Sequence, residues 1–131
     1  MLSTDPIADL LSRIRNAALT KSESTSVPFS KSKLAVLKVL SEAGWIGGIE
    51  LQGTPTRTIV ISLKYDEQGQ CMIRSIRKIS TPGRRIYVGR TELPIVANNF
   101  GMAVISTSQG MMTNREARRR KLGGEIICEV Q

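Results

Sequence analysis

The sequence predicts an α+β fold in two closely packed small subdomains: an N-terminal α/β sandwich over residues 1–66 and a C-terminal, mostly β part with short helices over residues 71–131. Three observations predict it. Apolar residues recur at helical spacing in two stretches of the first half, whereas short apolar runs bounded by glycine and proline dominate the second. A polar stretch, 66–70, separates the two patterns and is read as the linker. Charge divides at the same place: residues 1–67 hold eight Lys or Arg against seven Asp or Glu, and residues 68–131 hold eleven against four.

In the first half, Asp5 followed by Pro6 is a strong helix start, a capping acceptor and then a first-turn proline. Ile7, Leu10, Leu11, Ile14, Ala17 and Ala18 then repeat on one side, leaving Asp9, Ser12 and Asn16 on the other with Arg13 and Arg15 flanking. A short strand is expected at 26–29. Ser30 caps a second helix with Leu34, Leu37 and Leu40 toward the core, ended by Gly44. Segments 47–51 and 57–63 flank a turn at Gly53, Thr54 and Pro55 and read as a hairpin, with Ile59, Ile61 and Leu63 alternating.

In the second half, strands are expected at 73–79, 84–88, 103–106 and 125–130, with a helical turn near 92–96. Ser106, Thr107, Ser108, Gln109 and Gly110 leave a strand end as a short turn. Thr113 and Glu116 have the spacing of a capping box, so a short helix begins there. Arg118, Arg119, Arg120 and Lys121 complement the carbonyl end of its dipole, and Gly123 is expected to supply a left-handed exit.

Composition narrows the function classes. The net charge of +8 and a pI near 10.1 favour a polyanionic partner. No histidine is present, and two cysteines, Cys71 and Cys128, fall short of a four-coordinate zinc site; both read as core fillers, with pairing left open by their spacing. The chain has no phosphate loop and no nucleophile turn, so enzymatic readings lack their residues. No secretory or membrane-spanning apolar run is seen, which predicts a soluble protein in a reducing compartment with no membrane partner.

RNA recognition accounts for more of these residues. A-form RNA presents a shallow minor groove, 2′-hydroxyls, phosphates and the bases of irregular loops. Ser106, Thr107 and Ser108 suit such a surface, and Gly110 permits close approach; equally, these residues build a turn and cap the next helix. Arg84, Arg85 and Arg90 surround Tyr87, with Arg85 and Tyr87 on one side of a strand and Arg84 and Ile86 on the other. Tyr87 is placed either to stack on an unpaired base or to sit at the core edge. Lys31 and Lys33 oppose the positive end of their helix dipole, a penalty that a bound phosphate reverses and that surface lysines also tolerate.

Three linked blocks carry a family resemblance: STSQG at 106–110, TNREAR at 113–118 and GGE at 123–125. With DPIADLLSRIRNA at 5–17 and TPGRRIYVG at 81–89, they resemble the bacterial-type S-eight family of small-subunit ribosomal proteins over essentially the whole chain. The loop departs from the family pattern at Gln109, where lysine is usual. The resemblance implies a non-enzymatic protein without cofactor or metal, working on the ribosome of the cytoplasm or of an organelle. It implies direct binding to an irregular helix in the central region of small-subunit rRNA and a role in assembly beside neighbouring ribosomal proteins. It also implies repression of translation from the protein's own messenger RNA. RNA contacts are then expected from Ser106, Thr107, Ser108, Gln109, Gly110, Arg84, Arg85, Tyr87, Gly124 and Glu125, with Lys31, Lys33 and Asn16 clamping phosphates from the first half. Without the resemblance, Glu125 reads as a solvent-facing strand residue, and a basic DNA-binding protein or a metal-dependent nuclease using Asp66 and Glu67 are the competing classes.

Overall fold

The computed structural model describes residues 5–53, 57–96 and 100–131. It is an α+β structure of two units, Met1–Arg74 and Ser75–Gln131.

The first unit begins with α1 (Pro6–Leu19), whose cap is the expected one: Asp5 accepts the Ala8 amide at 3.1 Å. Leu10, Leu11, Ile14 and Ala17 are buried, and the helix leaves through Lys21 in left-handed backbone at φ 56°. Strand β1 (Ser24–Pro28) ends on a proline, which an edge strand tolerates. Ser30 then caps α2 (Lys31–Glu42) by accepting the Lys33 amide at 3.1 Å. Strands β2 (Ile49–Gln52) and β3 (Thr58–Ser62) complete an antiparallel sheet of order β1-β3-β2; the expected turn residues Thr54 and Pro55 lie outside the described residues. Helix α1 packs on β1 and α2, and α2 on β2, and Val27, Ile59 and Ile61 of the sheet are buried.

Two expectations for α2 fail together. Its buried stripe is Lys33, Val36, Leu37, Val39 and Leu40, while Leu34 is only partly buried and lines an outer groove with Leu51. Residues 33, 36, 37 and 40 share one face at helical spacing, and that face includes the lysine. Its apolar stem fills the stripe and its ammonium donates to the Pro28 carbonyl at 3.2 Å. The 66–70 stretch is also no open linker. It is a tight loop of the first unit in which Asp66 accepts the Gln68 and Gln70 amides, each at 2.9 Å, and Tyr65 bridges to Cys71. Those backbone hydrogen bonds, Gln70's foremost, lower the Asp66 carboxyl from its ordinary value and give it a structural use.

The second unit is built on β8 (Gly124–Val130), which is paired along both edges. One edge carries β4 (Ile76–Lys78) at 128–130 and β5 (Tyr87–Val88) at 124–125; the other carries β6 (Met102–Thr107), which pairs with β7 (Gly110–Thr113). All pairings are antiparallel, with a register shift between Val104 and Ile105. The strand expected at 84–88 is confined to Tyr87–Val88, because Thr81 and Arg84 close a two-residue turn over Pro82 and Gly83. The Ile86 amide is held by the fully buried Ser80, whose hydroxyl accepts it at 2.9 Å, while the Ile86 carbonyl accepts the Ile126 amide of β8 at 2.9 Å. The helical turn expected at 92–96 is absent; Glu92 closes a turn on Gly89 and 93–96 are irregular.

Strand β7 was not expected. The turn read at 106–110 is a hairpin with Ser108 and Gln109 at its tip, Thr107 paired with Gly110, and Gly110 at φ +111°. The capped helix follows as α3 (Asn114–Arg120), with Thr113 accepting the Glu116 amide at 3.0 Å. Its left-handed exit is Lys121 at φ 59°, not Gly123. Helix α3 packs on β6 and β7 over a core of Leu93, Val96, Ala103, Ile105, Met112, Ala117 and Ile126.

One polar side chain locks this core. Asn114, 1% exposed, accepts the Ala103 amide at 3.2 Å and donates to the Pro94 carbonyl at 2.9 Å. Asn114→Ala takes the side-chain acceptor from the buried Ala103 amide and leaves the half-buried Pro94 carbonyl with Arg118 alone, and a loss of about 1–3 kcal/mol is expected in urea unfolding. A change within about 0.5 kcal/mol, the range of ordinary surface substitutions, would show that the lock is dispensable.

Candidate nucleic-acid interface

Alternation along the strands sorts the second unit's sheet into two faces. Ile105 pairs with Ile126 and with Met112, and all three point into the core beneath α3. The next pairs along, Ser106 with Glu125 and with Met111, therefore point to the opposite, open face. Tyr87 pairs with Glu125 from the other side. Tyr87, Glu125, Ser106 and Met111 thus form one cross-strand row over β5, β8, β6 and β7, with neighbours about 4.5–5.5 Å apart.

Tyr87 is 69% exposed, so it is not a core-edge residue, and no hydrogen-bond partner for it occurs among the described residues. Its aromatic face is open to solvent beside a carboxylate. Glu125 is held by Arg85, whose Nη1 donates to Oε2 at 3.2 Å; the side chains are 16% and 49% exposed, respectively. Its partner within the protein is thus an arginine. The pair fixes the carboxylate in the row, and its own stabilisation is modest at that exposure.

The hydroxyls divide by role. Thr107 is spent on the hairpin, donating to the Gly110 carbonyl at 2.8 Å and accepting the Gln109 amide at 3.1 Å. Ser106 and Ser108 have no partner among the described residues and present both hydrogen-bonding functions outward. Gln109 accepts from Arg120 at 3.4 Å, which ties the tip to α3.

The double glycine has a steric reason that spacing alone did not give. A Cβ on Gly124 would collide with the Ser106 carbonyl oxygen and lie 2.9 Å from its carbon and 3.2 Å from Thr107 Cα. One on Gly123 would strike the Val88 carbonyl oxygen and lie 2.9 Å from Gly89. Strand β8 therefore enters between β5 and β6 through a gap that only glycine fits. Gly124 builds the surface on which Glu125 and Ser106 stand.

The remaining expected residues fall elsewhere. Arg84 is exposed in the Thr81 turn, off the row. In the first unit Asn16 and Lys31 are exposed, but Lys33 is 5% exposed and bonded to Pro28, so it does not offer its charge as a phosphate clamp. Met111 was missed because β7 was missed; the alternation of Met111 and Met112 after Gly110 was the available signal.

Electrostatics sharpen the picture around α3. Glu116 accepts from Arg119 Nε at 3.0 Å and Arg120 Nε at 2.7 Å, and these hydrogen bonds hold its carboxyl down from the ordinary 4.5 to about 2. A carboxyl so lowered adds stability above about pH 4.5 that is lost as pH falls toward 2. Cys71 and Cys128 are both free, and burial pushes the Cys128 thiol up to about 12. Among the described residues no three His, Cys, Asp or Glu side chains gather into a metal site, and no helix is long and apolar enough to cross a membrane.

A family model described as Ribosomal protein S8 matches residues 5–131. The chain is 47% identical to a Small ribosomal subunit protein uS8 of Thermus aquaticus, covering 97% of this chain and 98% of that one. Proteins of the same description from Sorangium cellulosum and Rubrobacter xylanophilus are 46% and 44% identical, covering 98% and 99% of this chain and 99% of each relative.

Proposed function

From its membership of the ribosomal protein S8 family, we propose that this chain is a structural constituent of the small ribosomal subunit that binds small-subunit rRNA directly and catalyses nothing. The observation that carries the RNA-binding reading is the open-face row: an exposed aromatic ring, an arginine-held carboxylate and an unengaged serine, bordered by the hairpin tip. Each member suits irregular RNA. The Tyr87 ring stacks on an unpaired base, Ser106 and Ser108 exchange hydrogen bonds with ribose, phosphate or base edges, and Glu125 accepts from a base amino group. A carboxylate repels phosphate, so its presence favours a surface that reads exposed bases over one that follows a regular backbone.

The family likeness supports an irregular helix in the central domain of the rRNA as the target, with a role in holding it for later assembly beside neighbouring ribosomal proteins in the cytoplasm. It supports in the same way the repression of the protein's own messenger through an rRNA-like hairpin. Competition binding tests the core of this reading. An irregular small-subunit rRNA fragment should displace a DNA duplex of equal length, and equal binding of the two would overturn it.

Asn16 and Lys31 supply additional contacts from the first unit, Lys31 by drawing a phosphate to the α2 end. Lys31→Ala should reduce the slope of log affinity against log salt by about 0.7–0.9, the change for one phosphate contact. An identical slope would leave Lys31 an ordinary surface residue.

A further inference from the structure

Four cations close α3, and they fall into two pairs. Arg119 and Arg120 are held by Glu116. Arg118 and Lys121 face the other way and, with Arg90 and Thr91 from the turn after β5, line a cavity of about 290 Å³. None of these three cations has a carboxylate partner among the described residues; Arg77, Arg85 and the Arg119–Arg120 pair take Glu129, Glu125 and Glu116, and the exposed Glu92 does not line the cavity.

The backbone adds a second, independent observation. Lys121 stands at φ 59° where the helix exits, with its amide on the Arg118 carbonyl and the Leu122 amide on Ala117. That is the glycine position of a Schellman ending, and a lysine there carries a conformational cost that glycine does not. The same amides occupy helix-end carbonyls that would otherwise face an incoming anion. Arg118 is positioned by donating from Nη2 to the Pro94 carbonyl at 3.3 Å, which leaves its other guanidinium nitrogens for a ligand.

We propose that this cleft binds a phosphodiester group of RNA, as a contact separate from the Tyr87 row. Two arginines, a lysine and a threonine lining one small cavity match the single negative charge and the acceptor oxygens of a phosphodiester. The cleft involves α3, on the core side of the sheet, whereas the row lies on the open side, so the two contacts address different parts of a ligand. The proposal rests on the RNA-binding reading only for the identity of the polyanion.

Lys121→Gly separates structure from function, because it removes both the left-handed penalty and the charge; Lys121→Gln removes the charge alone. Binding of the full chain is measured against salt on two probes, a small-subunit rRNA transcript and an unrelated structured RNA. Both variants, and Arg90→Gln, should show slopes shallower by about 0.7–0.9 on both probes, and Lys121→Gly should also melt a few degrees higher. Unchanged slopes on both probes overturn the proposal and leave the cleft to an acidic polypeptide. If the native chain fails to prefer the rRNA transcript but the slopes still fall, the recognition reading is lost while the phosphate cleft stands.

Discussion

Tyr87→Ala should weaken binding to small-subunit rRNA by roughly 5- to 150-fold while leaving the urea midpoint unchanged, the range that corresponds to about 1–3 kcal/mol for an aromatic ring stacked on a base. The fold should not notice the change. Tyr87 is 69% exposed and, among the described residues, its hydroxyl bonds to nothing, so truncation removes little packing and no hydrogen bond. Its position carries the effect: β5 is only Tyr87–Val88, yet pairing with Glu125 and Gly124 fixes the ring beside the carboxylate. Tyr87→Phe distinguishes the ring from the hydroxyl and should retain most of the affinity. Native-like binding by Tyr87→Ala would remove the ring from the interface. Ser106→Ala combined with Ser108→Ala tests the same surface more cleanly than any change at Thr107, whose hydroxyl holds the hairpin.

Gly124→Ala should cost about 3 kcal/mol, the upper end of overpacking penalties, because the added methyl meets only backbone. A flexible side chain can swing aside at small cost, but the Ser106 carbonyl and Thr107 Cα belong to the strand paired with β8. Relief requires β6 and β8 to separate where Ser106 and Glu125 stand side by side, so affinity for RNA should fall with stability. Urea unfolding measures the first and filter binding the second. A Gly124→Ala chain with the native midpoint would show that the strand entry has more room than the geometry gives it.

These two residues mark different limits on what sequence could reveal. Tyr87 was visible as an aromatic among arginines, but its exposure follows from its pairing opposite Glu125 on the open face of the sheet. Gly124 was visible within a motif, but its reason lies in the neighbouring strand β6, at Ser106 and Thr107. Lys33 shows the converse. A lysine in a first helical turn beside Lys31 reads as surface charge, yet helical spacing places it on the stripe of Val36, Leu37 and Leu40, where Pro28 offers a carbonyl.

Local chemistry settled what depends on near neighbours in the chain. The caps at Asp5, Ser30 and Thr113, the two amphipathic helices, the basic second half and the hydroxyl-rich turn were all readable, because a cap, a periodic stripe or a turn is decided within a few residues. Long-range pairing decided the rest: that Arg85 claims Glu125, that Gly124 lies against Ser106, and that β8 is paired along both edges. A side chain's availability to a ligand is set by the partners that tertiary structure brings to it, and those partners are separated from it along the chain by distances over which residue patterns carry no signal.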